Sequence, residues 1–191
     1  MAPYFQRLLL VVTSPHAAWP LIAAAPLRTR ELLLHYVLPL SLVSAAAVTL
    51  GVAHFNRNWN FDFGYNIAQQ RALSIGGATL LFVMLAVCVL AFVFQQLGRM
   101  YGSKRDFNAA LKVAVFGSAP LWCAGAFIFF MPVVLVGMAA FVYSCVLYSI
   151  GAEAVLGVKA GDANEFIGIS LLFSSVILAL AGMAAVTPGF L

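Results

Sequence analysis

Of the 6 Asp+Glu in this 191-residue chain, one stands at the end of a long apolar run: Glu153. Ser144, Cys145, Tyr148, Ser149 and Ala152 precede it. At about 100° per residue these positions cover roughly half of a helix. They give it a polar and small side carrying Ser144, Tyr148, Ser149 and Glu153. A carboxylate at membrane depth can exchange protons or hold a cation in a vestibule. The same residues also serve plain helix packing, with Glu153 near the interface and paired to Lys112 or Lys159. A second group, Arg99, Lys104 and Arg105, lies in the segment GRMYGSKRDFN. It offers contacts to a phosphate, a lipid headgroup or a partner, although lipid-binding clusters usually hold about four to eight basic residues. An orientation signal followed by a helix cap at Asp106 or Asn108 accounts for it equally well.

No other pattern points to chemistry. Glu31 and His35 are four residues apart and can hydrogen-bond each other. His54 sits at the far end of the same apolar run, so a haem at either end would need a second ligand from another helix, and the remaining histidine is His16. Cys88, Cys123 and Cys145 lie in apolar runs without a C-x-x-C spacing and read as buried thiols. No Cys/His cluster has zinc spacing, and no nucleophile, base and acid fall at one depth. We therefore assign no catalytic residue, cofactor or metal and expect a protein that is not an enzyme.

The elements that must position these residues follow from composition. The chain is 64% hydrophobic and 8% charged, with a mean hydropathy of +1.03. Soluble domains carry about 25% charged residues, so this is an all-α integral membrane protein. Its net charge of +4 reflects topology and no nucleic-acid partner. Charge-free runs cover Leu32–Asn56, Ala72–Gly98, Val113–Ala152 and Phe166–Leu191. The third, roughly 40 residues, would be about 60 Å long as one helix, twice a bilayer core. Pro132 divides it, because proline suits a helix start and breaks an interior. Five membrane-spanning helices result, at about 32–55, 72–97, 108–129, 132–156 and 165–187. Pro39 and Pro120 fall inside spans one and three and predict kinks. Between spans one and two, Trp59, Phe61, Phe63 and Tyr65 alternate with polar residues, as in an interfacial aromatic belt.

Residues 8–27 are also uncharged but contain Pro15, Pro20 and Pro26. We read residues 1–30 as a cytoplasmic, interfacial segment, with Trp19 at headgroup level, preceding a membrane domain over 31–191. Five spans with the N-terminus inside place Arg7, Arg28, Arg30, Arg99, Lys104, Arg105, Lys112 and Lys159 in the cytoplasm. Only Arg57 and Arg71 are then outside. Small-residue ladders, Ala110/Ala114/Ser118 and Ser170/Ser174/Ala181, let helices approach closely.

Beyond these patterns, the chain resembles the bacterial branch of the Yip family, five-span membrane proteins named for interaction with Ypt/Rab GTPases. The resemblance rests on Ser14-Pro15, Trp19 and Ile22, on Pro39, on Gly102-Ser103 and Ala110-Leu111-Lys112, and on Ala119-Pro120. It continues through Val142-Tyr143-Ser144, Leu147-Tyr148-Ser149-Ile150-Gly151 and Leu156-Gly157-Val158. The bacterial relatives have no defined function as a family, and we read the chain as a non-enzymatic inner-membrane protein of this type, acting in membrane organisation or as a partner-binding, accessory subunit. Its partners would be the lipid bilayer and a homo-oligomer or larger membrane complex. About 30 mostly apolar residues stand where eukaryotic relatives carry a long cytoplasmic region, which argues against GTPase binding. The alternative is a small oligomeric transporter or channel for protons, cations or a small solute.

Overall fold

An apolar segment withdrawn from water must satisfy its own backbone hydrogen bonds, and a helix does so locally. The computed structural model describes residues 2–58, 69–103, 106–126 and 133–186, and no strand occurs among them. The elements are α1 (Ala2–Thr13), α2 (Pro15–Ala24), α3 (Thr29–Leu32), α4 (Leu38–Asn58), α5 (Gln69–Met100), α6 (Phe107–Gly117), α7 (Ala119–Ala126), α8 (Val133–Gly151) and α9 (Ala163–Val186). π-helical turns, Leu33–Val37 and Ala152–Leu156, follow α3 and α8. The Trp59–Tyr65 alternation and the Phe130-Met131-Pro132 hairpin lie outside the described residues.

Among the described residues, three helical stretches are long and apolar enough to cross a membrane: Thr29–Leu50, Leu73–Met100 and Leu135–Leu156. Shorter apolar stretches occupy Phe107–Gly117 and Ala163–Ala179. The outward faces are apolar too, with Leu81 69% exposed, Leu135 72% and Leu172 63%. A hydrocarbon solvent accepts such faces, whereas water would drive them together.

The helix interruptions have local causes. Pro39 cannot donate to the His35 carbonyl. One turn earlier the helix widens, and Leu38 N–H reaches back to the Leu33 carbonyl. The third span is not one helix. It breaks at Ser118, because Pro120 leaves the Phe116 carbonyl without its usual donor, and α7 starts afresh. Helix α5 ends in a Schellman arrangement: Ser103 N–H donates to the Gly98 carbonyl at 2.8 Å and Gly102 N–H to Arg99 at 3.3 Å. Gly102 takes φ +77°, which a residue without Cβ tolerates. Asp106 caps α6, its carboxylate accepting from Ala109 N–H at 3.0 Å. Asn108, the other cap candidate, instead donates to the Leu27 carbonyl at 2.9 Å.

Helix α6 is the axis of the bundle. Every residue from Ala110 to Pro120 is buried, between α5 on one side and the N-terminal helices and α8 on others. The Ala110/Ala114/Ser118 ladder lies in this packed stretch. Phe116 meets Tyr36 edge to face at 4.9 Å. Phe94 of α5 touches Tyr148 at 5.5 Å and Phe166 at 5.6 Å. Gly76 permits α5 to lie against α4, since a Cβ there would stand 1.9 Å from the Thr49 hydroxyl.

The N-terminal segment packs into the helical body. It forms α1 and α2, broken at Ser14-Pro15, and its apolar side enters the protein core. Val11 and Trp19 are 0% exposed, Ala18 1% and Ile22 2%. Trp19 is enclosed by protein. Its indole lies over Gly151, where an added Cβ would come within 2.7 Å of the ring. Tyr143 of α8 donates its hydroxyl to the Val12 carbonyl at 2.6 Å. That carbonyl belongs to the last turn of α1, whose acceptors have no helical partner. Lys112 does the same for α2, donating to the Ala25 carbonyl at 2.7 Å and lying 3.5 Å from that of Ala23.

The Trp19–Gly151 contact is directly testable. Gly151→Leu should destabilise the protein by about 1–3 kcal/mol through overpacking. Adding Trp19→Ala should restore part of the loss, because the vacated indole volume receives the leucine. Thermal unfolding of the purified protein in mild detergent reads both effects. Strict additivity of the two changes would mean that the residues do not share one space.

Candidate functional site

The proposed polar side of α8 is split by the fold. Tyr148 points into the bundle and is 2% exposed; Ser144, one turn away, is 0% exposed. Ser149 turns aside and donates to the Asn164 side chain of α9 at 2.9 Å. Glu153 lies in the π-helical turn Ala152–Leu156, exposed, and makes no ion pair among the described residues. Lys112, considered above as its partner, is 8% exposed and directed at the α2 carbonyls. The four residues therefore form an inward pair, a helix-to-helix bond and an outward carboxylate, and not one site.

The inward part is built on a close approach of α6 and α8. A Cβ at Gly117 would stand 2.2 Å from the Tyr148 ring, so glycine is what admits the phenol. The Ser118 hydroxyl donates to the Ala114 carbonyl of its own helix. It then accepts from the Tyr148 hydroxyl at 2.9 Å. Ser41 and Ser174 likewise donate to carbonyls four residues back. The hydroxyls of Ser144 and Ser170 and the Trp122 indole N–H have no such partner among the described residues.

Tyr148 and Ser118 border a crevice of about 670 Å³ reached by Phe82 and Leu90 of α5, Trp122 of α7 and Ser174 of α9. Its wall is largely apolar. Among the described residues, no three His, Cys, Asp or Glu side chains gather to hold a metal.

The basic loop contributes Arg99, which is exposed in the last turn of α5; Lys104 and Arg105 lie outside the described residues. Next to it Tyr101 donates to the Glu165 carboxylate at 3.1 Å. Partial desolvation, helped by the Glu165 and Asp162 charges, holds the Tyr101 phenol above its usual range, which keeps it the donor. Glu165 sits in the first turn of α9, where the helix dipole favours an anion. Asp162 precedes that helix, and its carbonyl accepts from Phe166 N–H at 2.9 Å. His35 places Nδ1 3.2 Å from the Glu31 carbonyl. The Glu31 carboxylate accepts from Arg28 N–H at 3.0 Å. The expected Glu31–His35 contact is thus made through the backbone.

Sequence reading missed the Lys112–α2 junction. The signal was present in Asn108 and Lys112, four residues apart on an otherwise apolar helix, yet a lysine near a span end also reads as an orientation charge.

The Ser118–Tyr148 bond should be worth about 0.6 kcal/mol, as is typical between helices in bilayers. A double-mutant cycle of Ser118→Ala and Tyr148→Phe, read by unfolding in detergent, should give a coupling of that order. A coupling of zero would remove the bond.

The Yip1 domain family matches residues 9–185. No curated protein and no solved structure matches the chain. The match includes α2 with Trp19, the α6–α8 contact and the π-helical turn after α8, so nearly the whole helical body described above is covered. This chain is a membrane protein belonging to the Yip1 domain family.

Proposed function

We propose that the protein is a non-enzymatic, five-span component of the bacterial inner membrane, acting in membrane organisation or as a partner-binding, accessory subunit of a homo-oligomer or larger complex. One observation carries this reading. Four polar side chains of the apolar helices join one helix to another. Tyr148 binds Ser118, Tyr143 binds the Val12 carbonyl, Ser149 binds Asn164, and Lys112 binds the end of α2. The carboxylate that could titrate along a transport path, Glu153, is exposed beside the bundle. Buried polar residues that satisfy one another specify packing; residues that move ions face a shared cavity.

The crevice beside Tyr148 favours the second reading, a small oligomeric transporter or channel for protons, cations or a small solute. Its about 670 Å³ would admit a small molecule. Among its described lining residues there is no carboxylate, histidine, lysine or arginine, which weighs against an ion path through it.

Glu153→Gln separates the two readings, since it keeps shape and abolishes titration. Unfolding stability and co-purifying partners should change by less than about 0.5 kcal/mol, as for surface positions generally. Proteoliposomes should show no Glu153-dependent flux. A current that the substitution abolishes would favour the transporter.

The basic asymmetry also predicts a cytoplasmic N-terminus and an outer C-terminus. A reporter fused after Leu191 should be active only outside the cytoplasm. Activity inside would exclude five spans with this orientation.

A further inference from the structure

We propose that the crevice beside Tyr148 holds an acyl chain of a bilayer lipid, with the ester carbonyl of that chain accepting from the Trp122 indole N–H. The site goes beyond both functional readings, since it requires neither a protein partner nor a flux. Its shape is set by the helices. The wall runs from Gly168 to Leu178 on α9 and from Phe82 to Leu90 on α5, about 15 Å and about 12 Å at the helical rise. Space drawn out along helix axes suits a chain better than a compact solute. The α5 and α8 walls fall within Leu73–Met100 and Leu135–Leu156, stretches able to cross a membrane. Phe82, Phe141 and Leu172 line the crevice and are also 46%, 49% and 63% exposed. The crevice therefore opens sideways, toward hydrocarbon, and a ligand reaches it from the bilayer.

The polar atoms of the wall set what the chain must carry. Ser118, Ser174 and Ser175 donate to carbonyls of their own helices, and Tyr148 donates to Ser118. The hydrogens of these four hydroxyls are committed. Trp122 differs. It is 6% exposed, and among the described lining residues its indole N–H is the donor buried without a partner. A buried N–H without an acceptor is costly. An indole N–H can only donate, so the missing group is an acceptor. A bound water needs several polar partners at once, and this wall is largely apolar. A carbonyl needs only the one donor. The ester at the head of a lipid acyl chain brings such a carbonyl together with the hydrocarbon that the rest of the wall fits.

Native mass spectrometry of the full chain in mild detergent tests the site, with phosphatidylcholine bearing ester-linked or ether-linked chains as the two probes. They share headgroup and chains, and the ether form lacks the carbonyl. The wild type should retain the ester form about threefold better, the worth of one hydrogen bond inside a bilayer. Trp122→Phe keeps an aromatic wall and removes the donor, so it should abolish the preference. Trp19→Phe removes another buried, unpartnered indole N–H, one that lies over Gly151 and outside the crevice wall. It should leave the preference unchanged; a preference lost there would place the contact elsewhere and overturn the assignment. The mass of what co-purifies from the native membrane identifies the source of the carbonyl: an ester lipid supports the proposal, and a quinone in its place overturns it. The proposal is equally overturned if the wild type retains both probes alike, or if Trp122→Phe keeps the preference.

Discussion

The burial of the Lys112 ammonium constrains the rest of the structure. An unsolvated charge inside an apolar bundle costs several kcal/mol. The carbonyl of Ala25, just past α2, accepts from Leu27 N–H at 2.8 Å and keeps a second lone pair for another donor. The two meet where Lys112 donates to Ala25, and Asn108 repeats the solution one turn earlier with Leu27. Cations also suit a helix C-terminus electrostatically. With its end fixed on α6, α2 lies across the bundle so that Trp19 meets Gly151. Tyr143 can then close the last turn of α1. A strip of sequence broken by prolines becomes part of the core because its exposed carbonyls find donors inside.

The interruptions in the helices serve the same geometry. Proline at 39 and 120 removes a donor in each case, but the outcomes differ. Ahead of Pro39 the helix stays continuous by widening to a π-helical turn. Ahead of Pro120 it breaks at Ser118, whose hydroxyl donates to the Ala114 carbonyl and accepts from Tyr148. Glycines complete the arrangement by removing side chains from the points of closest contact, Gly117 under Tyr148 and Gly151 under Trp19. Lipid provides no hydrophobic drive between helices, so such contacts and hydrogen bonds are what hold them together.

This accounts for the functional character as well. Inside the bundle, Tyr148, Tyr143, Ser149 and Lys112 are committed to bonds between helices. What the bundle offers to partners lies at its margins, in exposed apolar helix faces such as that of Leu135 and Leu172 and in the charged residues at the helix ends. Glu153 belongs to this margin, exposed in the π-helical turn at Ala152–Leu156.

Composition alone determined that the chain is a helical membrane protein, since 64% hydrophobic residues leave no material for a water-facing surface. Local chemistry was legible too. Asp106 as a cap, Gly102 as a C-terminal turn and the disturbance at Pro120 follow from backbone rules that act within a few residues. The Yip resemblance was readable from the order of short motifs. Tertiary structure decided where apolar segments are buried, because hydropathy measures withdrawal from water and cannot tell lipid from protein interior. Trp19 satisfies either environment, and only the small Gly151 opposite, far away in sequence, selects the interior. Tyr148 and Glu153 are a little over one turn apart on one run. At about 100° per residue they already lie on different sides of the helix, and which of them turns inward was decided by Gly117 and Ser118 of another helix. Such contacts join residues distant in the chain, so no local pattern encodes them.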